Sequence, residues 1–354
     1  MSLFRRKPKP DPLIRWYGKL PAYGDYYDSG SGEEWISEFT QKWLMNGYQA
    51  YESRRRNAQP PADDHEHHHA SRLPSCTCLL RLPQSGMTVL GSCLDFGGDM
   101  VGRKFPLCFF VGAPTADLPR LHGGTALPFL SILNQLLGLS RRVVRFLNDP
   151  GVKGPEQFRT EFADQEVNLD AVSAAPTDAW IERAKSIRMA DWYAATGSTL
   201  GSPDLDAWLR RARRWGEMLA QGDSPGFKAV LSFPLAPERA PGLPRIDRDL
   251  QVVGWVRWLE GRVDLKNRPT SLVITDEPAP ACSRLTVVLG ELAADDFLLL
   301  TPLAPHLDHV DDLAAVREDP SAETQPPASD TPTATSVATW ADFVTAKAQL
   351  EVKV

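Results

Sequence analysis

Three short apolar runs, Cys76 to Leu82, Met87 to Leu94 and Phe105 to Gly112, follow one another closely and constrain this chain more than anything else in it. Each is β-prone, and Pro83-Gln84-Ser85-Gly86 between the first two is a turn of hairpin length. Leu13 to Gly18 (Leu-Ile-Arg-Trp-Tyr-Gly) adds a short aromatic strand that stops at a glycine. Strands are also expected at Phe227 to Phe233, Gln251 to Leu259 and Ser271 to Ile274.

Helical spacing separates these runs. A helix is expected from Glu33 to Arg56, with Ile36, Phe39, Trp43 and Leu44 on one face and Arg54, Arg55 and Arg56 at its C-terminal end. Leu127 to Leu147 reads as a long helix closed by Asn148-Asp149-Pro150-Gly151. Another starts at Ser202 as N-cap, carries Leu205, Trp208, Leu209 and Ala212 on one side, and stops at Gly222. The stretch from Gly151 to Ser202 has only weak periodicity. Helices interleaved with sheet-forming hairpins predict a mixed sheet covered by helices, an α/β sandwich rather than a parallel barrel.

The expected organisation is a flexible lead-in over 1–12, one α/β domain over 13–315, a linker over 316–336 and an amphipathic helix over 337–354. Glu318 to Ser336 is nearly all Pro, Ser, Thr, Ala, Asp and Glu, too poor in apolar side chains to offset chain entropy, so a disordered linker is expected. After it, Thr339-Trp340-Ala341-Asp342 fits a capping box, and Val337, Trp340, Val344 and Ala348 mark one side of a short helix. That helix either docks back on the domain or is a peptide offered to a partner.

Composition narrows the function. Apolar residues make up 42% of the 354 and charged residues 24%, so a sizeable core is available. The net charge of −6 argues against a dedicated binder of nucleic acid or anionic membrane. No apolar run approaches the ~20 residues that cross a bilayer, and the basic N-terminus lacks the apolar core of a secretory signal. Five cysteines, Cys76, Cys78, Cys93, Cys108 and Cys282, lie in apolar stretches, as expected of reduced, buried thiols in a cytoplasmic protein.

No catalytic constellation emerges. Asp63-Asp64-His65-Glu66-His67-His68-His69 reads as a solvated loop with incidental metal affinity, because adjacent histidines cannot all turn onto one ion. The glycine loop Gly97-Gly98-Asp99-Met100-Val101-Gly102-Arg103-Lys104 has Arg103 where a phosphate-binding loop needs Lys, Lys104 where it needs a hydroxyl, and Asp99 inside the cradle. Cys76 and Cys78 form a C-x-C without a second pair, and His122, His306 and His309 have no triad context. No metal, cofactor or enzymatic activity is expected. Ten tryptophans exceed what the core needs; Trp255 and Trp258, three apart, would point to opposite faces of a strand.

Trp16-Tyr17-Gly18-Lys19-Leu20-Pro21-Ala22-Tyr23-Gly24-Asp25-Tyr26 resembles the opening signature of the type VI secretion system-associated TagF (ImpM) family, roughly G-W-[FY]-G-K-L-P-x-x-G-D-[FY]. Val101-Gly102-Arg103-Lys104-Phe105-Pro106-Leu107 resembles that family's V-G-R-x-F-P-L block. Gly254-Trp255-Val256-Arg257-Trp258-Leu259-Glu260-Gly261 with Ser271-Leu272-Val273 is similar to its W-W-x-x-G…P-S-L-[LV] region, with the tandem tryptophan split. The resemblance spans about Leu13 to Ile274; Arg15 before Trp16, the histidine loop and the tail depart from it.

It implies a three-layer αβα sandwich and a non-enzymatic, post-translational repressor of type VI secretion in a bacterial cytoplasm. In the family, the protein binds the system's forkhead-associated scaffold protein and holds back assembly. Partner contacts are expected at Trp16, Tyr17, Lys19, Leu20, Pro21, Gly24, Asp25, Gly102, Arg103, Lys104, Trp255, Trp258 and Trp340. Equally, Lys19 to Asp25 and Arg103 can simply pin two loops together. The alternative function is a structural component of the secretion assembly that docks partners through its C-terminal helix.

Overall fold

The computed structural model describes residues 11–20, 23, 25–30, 32–58, 75–94, 105–121, 125–149, 151, 154–169, 179–196, 204–222, 228–240, 242–276, 283–300, 310–312 and 339–345. Residues 1–10 of the lead-in, the His65–His69 loop, the glycine loop over 95–104, His122, His306, His309, Cys282 and the linker over 316–336 lie outside the described residues, whereas Asp11 and Pro12, expected in a flexible lead-in over 1–12, open the first strand.

Among the described residues, the apolar runs form the middle of a nine-stranded sheet ordered β2-β1-β5-β4-β3-β7-β8-β6-β9. Its strands are β1 (Asp11–Lys19), β2 (Tyr26–Asp28), β3 (Ser75–Arg81), β4 (Met87–Leu94), β5 (Leu107–Pro114), β6 (Ala229–Leu235), β7 (Thr270–Asp276), β8 (Ser283–Leu289) and β9 (Val310–Asp312). The β3–β4 hairpin is as expected, with Cys76 opposite Cys93 and Arg81 opposite Thr88. Every pairing is antiparallel except β6 with β9, which makes the sheet mixed.

Period-two alternation gives the sheet two buried faces. Leu107, Phe109 and Val111 of β5 enter one core, while Cys108 and Phe110 enter the other. A continuous helix covers the second face: α1 (Glu34–Ser37), a π-helical stretch (Glu38–Met45) and α2 (Asn46–Ala58). Ile36, Phe39, Trp43 and Leu44 are all buried there, as their spacing predicts. The first face carries α3 (Ala126–Leu147), α4 (Pro155–Phe162), α5 (Ala179–Ala184), α6 (Met189–Thr196), α7 (Leu205–Gly222), α8 (Arg248–Glu260) and α9 (Trp340–Thr345). The architecture is the three-layer αβα sandwich.

Two sequence expectations are corrected. Gln251 to Leu259 is not a strand but most of α8, started by the Asp247 carboxylate, which accepts from Leu250 N at 3.2 Å. The helix is buried nearly all round, Leu250 to Val256 without a break, so no amphipathic stripe betrays it. Likewise α7 is capped by Asp204, whose Oδ1 accepts from Ala207 N at 2.7 Å. Ser202 lies outside the described residues.

The tail docks in cis. Thr339 Oγ1 accepts from Asp342 N at 3.2 Å while Asp342 Oδ2 accepts from Thr339 N at 2.9 Å, the reciprocal pair that a capping box requires. Trp340 N donates to Ile187 O at 2.8 Å, and Trp340 and Val344 are buried; Val337 and Ala348 lie outside the described residues. No helix among the described residues is long and apolar enough to cross a membrane.

Candidate partner interface

β1 sits between β2 and β5, so the chain's first two motif blocks meet edge to edge. Gly18 makes the approach possible. At φ +147°, a Cβ there would stand 2.1 Å from Pro106 O and 2.6 Å from Leu107 Cα, so no other residue fits. Tyr17 stacks on Tyr26 at 5.6 Å, and both rings meet Phe105 edge-on at 5.9 and 5.0 Å. Lys19 is buried, with Nζ 4.7 Å above the Tyr26 ring centre, where the ring's negative face stabilises the ammonium.

On the other face Trp16 packs against Tyr27 and Phe158, at 6.3 and 5.7 Å between ring centres, and Leu20 is buried in the same core. Trp16, Tyr17, Lys19 and Leu20 thus build the edge of the domain rather than project from it. Pro21, Gly24, Gly102, Arg103 and Lys104 lie outside the described residues.

What does project is Tyr23, 37% exposed, its ring edge-on to Tyr27 at 5.9 Å and its N–H donating to Leu20 O at 3.0 Å. Tyr23 and Met218 are the exposed large hydrophobic side chains among the described residues. Its position between Pro21 and Gly24, inside the motif, is the sequence signal that marks it. Asp25 is exposed beside it, and its Oδ1 accepts from Tyr26 N at 2.8 Å.

Next to this corner a groove of about 340 Å³ runs between β1–β2 and the first helix, lined by Tyr17, Asp28, Gly30, Ser37 and Gln41 among others. Gln41 Nε2 donates to Tyr17 Oη at 3.2 Å, and Asp28 Oδ1 accepts from Gly30 N at 2.7 Å. Burial raises the Tyr17 pKa, opposed by the Gln41 hydrogen bond and reinforced by Tyr26, Asp28 and Asp25, so the phenol keeps its proton. Burial raises Tyr27 too, against the nearby Arg159, and its hydroxyl donates to Pro155 O at 2.9 Å. This arrangement suits recognition: an exposed ring, two acidic groups and a three-residue edge strand whose outer backbone has no neighbouring strand among the described residues.

The third motif block is elsewhere, on α8 against β6. Trp255, Trp258 and Trp340 are at most 1% exposed, so none is a surface anchor in this structure. Trp255 Nε1 donates to Pro234 O at 3.1 Å, and its ring meets Trp340 at 5.0 Å. Trp258 stacks on Trp215 and lies 3.8 Å beneath the Arg262 guanidinium, whose pKa burial lowers to about 10.

Cys76, Cys78, Cys93 and Cys108 are buried free thiols on one sheet face. Hydrogen bonding among these thiols, and then burial, raises the pKa of Cys93; burial leads for Cys108. Among the described residues no group of three His, Cys, Asp or Glu side chains is placed to hold a metal ion.

No protein-family model matches the chain, and no curated protein matches it. A solved structure, PA0076 from Pseudomonas aeruginosa PAO1, is similar at a TM-score of 0.32 and 19% identity, over 46% of this chain and 64% of that one. The match therefore spans less than two thirds of that protein's length.

Proposed function

We propose that this chain is a non-catalytic repressor of type VI secretion, which binds and sequesters the system's forkhead-associated scaffold protein and so delays assembly of the apparatus. The observation that carries this reading is the contact of Gly18 with Pro106 and Leu107. It joins the two motif blocks that resemble the TagF (ImpM) family at one corner of the sheet. Tyr23, Asp25, Asp28 and the β2 edge supply the surface there, while the buried signature residues hold it rigid. Such a division is usual, since a rigid scaffold lowers the entropy lost on binding.

Co-purification of the full chain with the forkhead-associated protein of the same secretion cluster tests the reading. A stable pair, together with raised secretion when the gene is deleted, supports it. No association and unchanged secretion overturn it. The alternative, a scaffolding component that docks through the C-terminal helix, requires α9 to leave its cis site, where Trp340 is 0% exposed. Repression retained by a chain cut after Glu318 excludes that alternative.

A further inference from the structure

At the opposite end of the sheet from Lys19, the β3–β4 turn, the segment after β5, the approach to β7 and the segment after β8 enclose a cleft of about 670 Å³. Its size falls within the ~300–1,000 Å³ of small-molecule sites. Arg81, Arg120 and Arg268 line it together with one carboxylate, Glu291.

Arg81 is the informative member. As the last residue of β3 it is held in place by its own N–H, which donates to Ser271 Oγ at 3.0 Å. Its side chain is half-buried, its Nε makes no hydrogen bond, and none of the ion pairs among the described residues involves it. Burial and the neighbouring Arg120 charge both lower its pKa. Arg120 is itself steered by Asn267, whose Oδ1 accepts from Nη1 at 3.0 Å. Folding therefore leaves a partly desolvated cation that none of the ion pairs among the described residues neutralises. Leu82, Leu118 and Pro269 give the same cleft an apolar wall.

We propose that this cleft binds an organic phosphate monoester, with the phosphate on the Arg81 and Arg120 guanidiniums and the organic body on the apolar wall. A monoester carries about −1.5 to −2 charge near neutral pH, which suits a cleft lined by three guanidiniums. Its tetrahedral oxygens suit the planar guanidinium fork. The assignment stands apart from the repressor reading, because no partner protein enters its test.

Isothermal titration calorimetry of the full chain with adenosine monophosphate, O-phosphoserine and inorganic phosphate decides it. The expected result is a Kd of about 1 mM or tighter for at least one organic ester. That ester should bind about 10-fold more tightly than inorganic phosphate and be weakened about 10-fold or more by Arg81→Met. Preference for adenosine monophosphate indicates a nucleotide-like source, and preference for O-phosphoserine a phosphorylated side chain. Arg120→Met, at an exposed position, serves as the second variant if Arg81→Met loses its native circular dichroism. No binding by any of the three probes overturns the proposal, as does unchanged affinity in the folded variants.

Discussion

The Cα of Gly254 faces the indole of Trp340 so closely that a Cβ there would lie 2.2 Å from Nε1. The glycine in the middle of α8 is thus the seat of the C-terminal helix. Gly254→Ala forces the indole out of the cluster formed with Trp192 and Trp255, at 4.9 and 5.0 Å between ring centres. Alanine is the better helix former by about 1 kcal/mol, yet the variant should lose about 1–3 kcal/mol through overpacking. Trp340→Ala, which leaves a cavity instead, should lose about 3–5 kcal/mol. In the double variant the two losses should not add, because both act on one contact. Urea unfolding followed by tryptophan fluorescence measures all three; additive losses would show that Gly254 does not seat the tail.

How far the sequence discloses this architecture depends on where each element's burial falls. The first helix has one buried side, so Ile36, Phe39, Trp43 and Leu44 announce it. The β3–β4 hairpin is announced by its turn. In contrast α8 hides, since Val252, Val253, Trp255, Val256 and Trp258 are β-branched or aromatic and buried on every side. Its start signal, Asp247, is one residue in a polar stretch. The contact surface is less legible still. Trp16 and Trp255 stand out in the sequence for their size, but size is also what a core needs, and both are buried. Tyr23 and Arg81 acquire meaning only from their neighbours in space.

Gln251 is fully buried between α6, α8 and the end of β6. Its Oε1 accepts from Trp192 Nε1 and Ala236 N, both at 2.8 Å, and its Nε2 donates to Ala236 O at 3.0 Å. Gln251→Leu keeps the volume but orphans three buried polar groups. At about 1–3 kcal/mol for each unsatisfied group, a loss of at least about 2 kcal/mol is expected. Gln251→Glu should also destabilise, because it removes the donor to Ala236 O and buries a charge. Equilibrium denaturation checks both; a Leu variant within about 0.5 kcal/mol of the parent would contradict the network's importance.

Asp249 gives the stability a pH signature. Its pKa lies above the usual 3.8, raised chiefly by burial and partly offset by the Asn134 hydrogen bond and Arg248. The native state therefore holds this proton more tightly than the unfolded chain does. Stability contributed by the group is full below the unfolded value and falls as pH rises through the native one. Asp249→Asn preserves an acceptor for Asn134 Nδ2, now 2.7 Å from Asp249 Oδ2, and removes the ionisation. Relative to the parent, the variant should gain stability as pH rises from below the usual 3.8 through the raised native value, and hold that gain at pH 7. Urea midpoints across this range measure the difference; a pH-independent difference would contradict the assignment.

Around Tyr23 the surface and its support make separable predictions. Tyr23 and Asp25 are exposed at the corner where β1 gives way to β2, so Asp25→Arg should shift stability by no more than about 0.5 kcal/mol, and Tyr23→Ala, which loses the edge-on contact with Tyr27, by about 1 kcal/mol. On the proposed function, the pair should weaken binding to the forkhead-associated protein about 10-fold or more, since an exposed aromatic is a typical anchor and the charge reversal opposes it. Trp16→Ala, which empties the space between Tyr27 and Phe158, should instead cost about 3–5 kcal/mol and lower the amount of folded protein. Its folded fraction should bind with near-parental affinity at a temperature where the variant remains native. Calorimetric titration of the three variants separates these outcomes. Full affinity in the Tyr23 and Asp25 double variant would move the interface away from this corner, whatever the fate of the Trp16 variant.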